Sequence, residues 1–263
     1  MGTDDVMQTV PITEQLGNIP TLASQKIMNM LFIVDTSGSM KRRRIQEVNK
    51  AFHTMIPKLQ EVQRDVNAEF ELRIAIMSFN QVAQWIVPPT PILEYNHSDI
   101  QCSDFVTFYS EAFKALSSKL TRNEFMSHQG KIAAPYIMFM TDGKPTPDDP
   151  YKEALEELKQ NGWFLHSQRF AVLIGDDVIN DYDARKAVSN FVNDEREGIV
   201  SVSDAEQIAG EVEAKTMRTV IDMTQHPVGD VRMESENNTQ DGAFGDFSSD
   251  FDDGDFFDNN MFI

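Results

Sequence analysis

Two short runs of oxygen-bearing residues follow apolar segments in this chain. In "LFIVDTSGSM" (31–40) the apolar run ends in Asp35, Ser37 and Ser39 at alternate positions. In "YIMFMTDGKPTP" (136–147) a second apolar run ends in Thr141-Asp142-Gly143. Alternate residues of an extended or tightly turned segment aim their side chains to one side, so one carboxylate and two hydroxyls can converge on a point. That is a hard-oxygen donor set. It suits magnesium, manganese or calcium and does not suit zinc, which favours nitrogen and sulfur. Taken alone, the first run reads as well as a helix cap at Ser37 or Ser39 beside an Asx turn at Asp35. The second run adds a carboxylate, Asp142, at the same kind of position.

The elements needed to hold these residues follow from the hydrophobic pattern. Residues 28–34 are nearly all apolar, as expected of a strand covered on both faces. Ile45, Val48, Phe52, Met55, Leu59 and Val62 then recur at three and four residues, marking one face of a long helix. Phe70, Leu72, Ile74 and Ile76 alternate as a strand does, and residues 85–87 fit a short edge strand, since the "PPTP" that follows excludes a central one. A helix is expected over about 108–120, with Ala112, Phe113, Leu116 and Leu120 on its apolar side. Further strands fall at 136–140, 170–175 and 199–202, with helices at 151–160, near 183–193 and from about Asp204. Strand alternating with helix predicts an α/β fold: a doubly wound, mainly parallel sheet with helices on both faces. In such sheets ligands bind beyond the carboxyl ends of the strands, where both oxygen-rich runs lie.

At these residues the chain resembles the von Willebrand factor A family, whose members carry a metal-ion-dependent adhesion site. The resemblance rests on "DTSGSM", "MTDGKPT" and the strand–helix order, and it covers about residues 27–220. It implies that Asp35, Ser37 and Ser39 form the first metal loop and that Asp142 is the acidic residue of the third. The second loop should supply a threonine just before a helix. In "SDFVTFYSEAFKAL" (103–116) Thr107, with Ser110 and Ala112 behind it, fits that pattern. Val106 stands where the family often has glycine, and Ser103 and Asp104 are the rival residues. The resemblance also implies that the metal stays partly hydrated, so that an Asp or Glu of a partner protein replaces a water. The chain is closer in flavour to intracellular bacterial members found near tellurium-resistance and kinase–phosphatase genes than to the extracellular integrin type. The expected role is therefore a Mg²⁺-dependent (or Mn²⁺- or Ca²⁺-dependent) protein-interaction module in a stress or signalling system containing a Ser/Thr kinase or protein phosphatase. An adaptor subunit for an AAA+ ATPase is the alternative, and a Mg²⁺-dependent hydrolase a third class.

The rest of the sequence narrows the choice. There is no GxxxxGK[ST] phosphate loop, no kinase-type catalytic loop and no nucleophile elbow, so an enzyme is not expected. The five histidines show no zinc spacing, and a lone cysteine, Cys102, leaves no internal disulfide, as in a reducing compartment. A net charge of −19 opposes binding to nucleic acid. The first twenty-six residues show no apolar core of a signal peptide, and no run is long enough for a membrane helix, so a cytoplasmic location is expected. "KRRR" (41–44) reads as a solvated helix start or as a basic rim to the metal loop, and Asp176-Asp177 as a turn or cap.

The expected domain organisation is an N-terminal extension (1–26), the α/β domain (27–221), and a linker with an acidic, Phe-rich tail (222–263). Residues 233–263 hold about half of the net charge, no basic residue, and Phe244, Phe247, Phe251, Phe256, Phe257 and Phe262. This composition predicts disorder, and the tail reads as a set of aromatic anchors for a basic, apolar-grooved partner, as a source of a carboxylate for the protein's own metal site, or as a plain charged solubilising segment.

Overall fold

A central strand ending in a carboxylate must be bonded on both sides and covered on both faces, and β1 (Lys26–Asp35) is all of these: every residue in it is buried. The computed structural model describes residues 26–65, 70–103 and 105–225. The sequence expectations for residues 1–25, for Asp104 and for the acidic tail lie outside the described residues. After β1 come α1 (Arg43–Asp65), β2 (Phe70–Phe79), β3 (Ala83–Pro91), α2 (Tyr109–Lys119) and β4 (Tyr136–Thr141). Then follow α3 (Tyr151–Leu158), α4 (Gly162–His166), β5 (Gln168–Ile174), α5 (Asp176–Ile179), α6 (Tyr182–Ser189), α7 (Glu195–Gly198), β6 (Ile199–Val202) and α8 (Ala205–Gln225).

The six strands lie in the order β3-β2-β1-β4-β5-β6, all parallel except the antiparallel edge strand β3. Chain order thus reverses at β1, between β2 and β4, and such a switch point is where a doubly wound sheet leaves a crevice. The register sets the strand ends level. Asp35 pairs with Phe79 of β2, Val34 pairs with Met140 of β4, and Thr141 pairs with Leu173 of β5.

Two helical layers cover the sheet. The apolar stripe of α1 packs on Met28, Met30, Phe32 and Val34, and α8 adds Ile208, Val212 and Val220 to the same core. The opposite face is aromatic. Phe139 stacks on Phe79 at 5.0 Å and meets Tyr109 of α2 edge-on at 4.9 Å, and Phe113 stacks on Phe191 at 5.7 Å. Aromatic pairs of this kind add to the energy of area burial.

The structure differs from the sequence expectation in three places. The edge strand β3 runs through Pro88, Pro89 and Pro91, because on an edge a missing N–H removes no inner ladder bond. The first helix does not start at the metal loop: a 3₁₀ turn at Gly38–Met40 intervenes, Arg42 has φ 68°, and α1 begins at Arg43. The helices α4, α5 and α7 are five residues or fewer, too short to leave a periodic signature.

Candidate metal centre

The site is built from three loops at the carboxyl ends of β1 and β4. Asp35 closes β1 with its carboxylate buried. Its Oδ1 accepts from the Ser37 backbone N–H at 2.8 Å, and its Oδ2 accepts from the Thr141 hydroxyl at 2.7 Å. The Asx-type turn and a ligand role are therefore compatible, since the turn holds the carboxylate while Ser37 and Ser39 project beyond it. Ser37 Oγ and Ser39 Oγ stand 3.2 Å apart. Ligand atoms around an octahedral Mg²⁺ with 2.0–2.1 Å bonds are separated by about 2.9 Å along an edge, close to this spacing. Neither serine caps a helix: the 3₁₀ turn after Ser37 has no side-chain cap, and α1 starts later.

Asp142 follows β4 and is also buried. Its Oδ1 accepts from the Ser39 hydroxyl at 2.7 Å, so the first and third loops touch directly. Its Oδ2 is held by Arg44, whose other guanidinium nitrogen lies 3.4 Å from Asp177 at the start of α5. Arg44 is thus the member of the basic run that reaches the site. Arg43 turns instead to Glu206 of α8. Gly175 makes room for Arg44: with φ 101°, it would carry a Cβ only 2.6 Å from Arg44 Nη2.

Thr107 is buried, two residues before the start of α2. It does not cap that helix, because Asp149 does so from the "TPDDP" loop, accepting from the Tyr109 N–H at 2.6 Å and the Ser110 N–H at 3.2 Å. The Thr107 carbonyl accepts from the Thr146 N–H at 3.1 Å and the Thr146 hydroxyl at 2.9 Å, which ties the second loop to the third. A Cβ on Gly143 would sit 3.3 Å from Thr107 Oγ1 and 3.9 Å from Asp35 Oδ2. The missing side chain there leaves a space faced by both oxygens. The rival Ser103 is engaged elsewhere, its Oγ accepting from Asn80 Nδ2 at 3.0 Å and its N–H donating to the Thr36 carbonyl at 3.0 Å.

Electrostatically the site is short of positive charge. Burial pushes the Asp35 carboxyl up to about 6, against the opposing hydrogen bond from Thr141, and the neighbouring Asp142 adds to the rise. Burial also raises Asp142, with Ser39 and Arg44 pulling the other way. The Cys102 thiol is pushed up to about 12 by burial and then by Asp35 and Asp142, so it stays protonated and is no nucleophile. Two buried carboxylates with three hydroxyls, and no nitrogen or sulfur among them, fit a hard divalent cation. Sequence reading did not single out Thr141 or Asp149. Thr141 had a visible signal as the last strand residue before Asp142, whereas the Asp149 cap spans 40 positions.

The fold is that of a von Willebrand factor A domain. The chain belongs to that family: the model for the von Willebrand factor type A domain matches residues 29–213. Such domains commonly mediate protein–protein interaction, with a metal site, and are generally non-enzymatic. Among solved structures, the pilus adhesin SpaC from Lactobacillus rhamnosus GG (open conformation) is similar with a TM-score of 0.57 at 12% identity, over 74% of this chain and 30% of that one. Proximal thread matrix protein 1 from the mussel byssus is similar with a TM-score of 0.53 at 10% identity, over 73% of this chain and 48% of that one. The chain spans less than half the length of either, and at these identities the likeness is one of fold. No curated protein sequence matches the chain. Among the described residues no helix is long and apolar enough to cross a membrane.

Proposed function

We propose that Asp35, Ser37, Ser39, Thr107 and Asp142 hold a Mg²⁺ ion and that the domain binds a partner protein through an Asp or Glu side chain of that partner. The observation that carries this reading is the direct contact of the first and third loops, Ser39 hydroxyl to Asp142 carboxylate, beside a buried Asp35 whose charge is incompletely offset. When bound, the cation would supply positive charge and a position for one further oxygen ligand. The chain's own residues do the rest. Asp35 is fixed by Thr141 and the Ser37 N–H, so the donor set is preorganised. Ser39 is the exposed member and gives the site its solvent side. Phe105 and Val106, 54% and 50% exposed next to Thr107, offer apolar surface to whatever flanks the partner's carboxylate.

By resemblance of the motifs, the setting we propose is a bacterial cytoplasmic stress or signalling system, with a Ser/Thr kinase or protein phosphatase as the partner. The test is capture by the full-length chain with Mg²⁺, with EDTA, and with Mg²⁺ restored. Binding that disappears in EDTA, returns with Mg²⁺, and is weakened by Thr107→Val but not by Ser103→Ala is the expected outcome. A partner retained unchanged in EDTA rules the reading out.

A further inference from the structure

The histidines show no zinc spacing along the chain, but the fold brings His53 of α1 next to His97 and Asp99 of the loop after β3. Each offers one ligand atom, and the three atoms lie within 4.8 Å of one another. We propose that His53, His97 and Asp99 form a second metal site, selective for a late first-row divalent cation such as Zn²⁺. Two imidazoles and a carboxylate suit zinc, nickel or copper and hold Mg²⁺ poorly, whereas the all-oxygen set around Asp35 has the reverse preference. The two sites therefore sort metals by ligand hardness.

The loop is held as a ligand scaffold should be. Asn49, one turn before His53 on α1, grips the backbone of Ile100 at both ends: its Oδ1 accepts from the Ile100 N–H at 2.8 Å and its Nδ2 donates to the Ile100 carbonyl at 3.1 Å. His97 is fixed from three sides. Its ring stacks on Phe52 at 4.8 Å, Nδ1 lies 3.0 Å from the Tyr95 hydroxyl, and Nε2 lies 3.1 Å from Asn49 Oδ1. Either ring nitrogen can ligate while the other keeps its hydrogen bond, which is how outer partners orient ligating histidines.

The other two ligands are adjustable. His53 Nε2 lies 2.8 Å from Asp99 Oδ1, and the two side chains are 53% and 58% exposed. Ligands of a tetrahedral zinc with 2.0–2.1 Å bonds stand about 3.4 Å apart, so these exposed side chains turn to admit the ion while the packed ring stays in place. Three protein ligands leave a fourth position for water or an outside group.

The test is calorimetric titration of the full-length chain with Zn²⁺ in excess Mg²⁺, using Asp35→Ala to remove the oxygen site. Asp35→Ala should bind one Zn²⁺, and adding His53→Ala or Asp99→Asn should weaken that binding by more than about tenfold. Both added changes are at exposed positions, and circular dichroism checks that the fold is kept. Co²⁺ should give the intense visible absorption of a tetrahedral site in Asp35→Ala and lose it with His53→Ala. Zinc that binds equally well after both added changes, or no zinc binding in Asp35→Ala, overturns the proposal. Neither outcome touches the Mg²⁺ reading, which depends on Asp35.

Discussion

The Thr141 hydroxyl donates a 2.7 Å hydrogen bond to Asp35 Oδ2 and so joins the ends of the two central strands at one buried point. Thr141→Val keeps the shape and removes the donor. A buried carboxylate oxygen left without a partner costs roughly 1–3 kcal/mol. Calorimetry in EDTA should therefore show a thermal midpoint several degrees lower than wild type. An unchanged midpoint would mean that Thr141 does not support Asp35.

Arg44 competes for the same carboxylate that the proposed metal needs. It holds Asp142 Oδ2 and also reaches Asp177, while its own side chain is only 27% exposed. Arg44→Gln should therefore tighten Mg²⁺ binding measured by calorimetry while lowering the stability of the metal-free protein. Weaker Mg²⁺ binding would assign Arg44 a supporting role instead.

Gly175 is constrained by its φ of 101° and by the Arg44 guanidinium and the Asp177 carboxylate, which both crowd the place where a Cβ would go. Gly175→Ala should destabilise the domain by about 1–3 kcal/mol, seen as a lower urea midpoint. The arginine is flexible and can retreat, so most of the loss should remain when Arg44→Gln is added. Full recovery in the double variant would place the conflict in the side chain and not the backbone.

Local chemistry made much of this molecule legible in its sequence. Residues 28–34 read as a doubly covered strand because β1 has neighbours on both sides and helices on both faces, and Asp35, Ser37 and Ser39 stood out because they share one short turn. The helical stripe from Ile45 to Val62 was readable for the same reason, as Ile45, Val48, Phe52, Met55 and Leu59 are buried in the core and Val62 packs against it. What escaped depends on partners far along the chain. Arg44 meets Asp177 across 133 positions, and the N-terminus of α2 is capped by Asp149, not by its own Thr107. His53 and His97 share no motif, since one lies on a long helix and the other on a loop 44 positions along the chain. The strand through Pro88, Pro89 and Pro91 was underestimated because proline's penalty vanishes on an edge.

The most direct test of the central claim is the Mg²⁺-dependent thermal shift of the intact chain compared with Asp35→Ala. A ligand that binds only the folded state stabilises it by about 2.7 kcal/mol at a hundred times its dissociation constant. Wild type should therefore show a midpoint that climbs with Mg²⁺ and falls back in EDTA, while Asp35→Ala stays folded and shows no climb. An equal Mg²⁺ shift in both proteins would contradict the site.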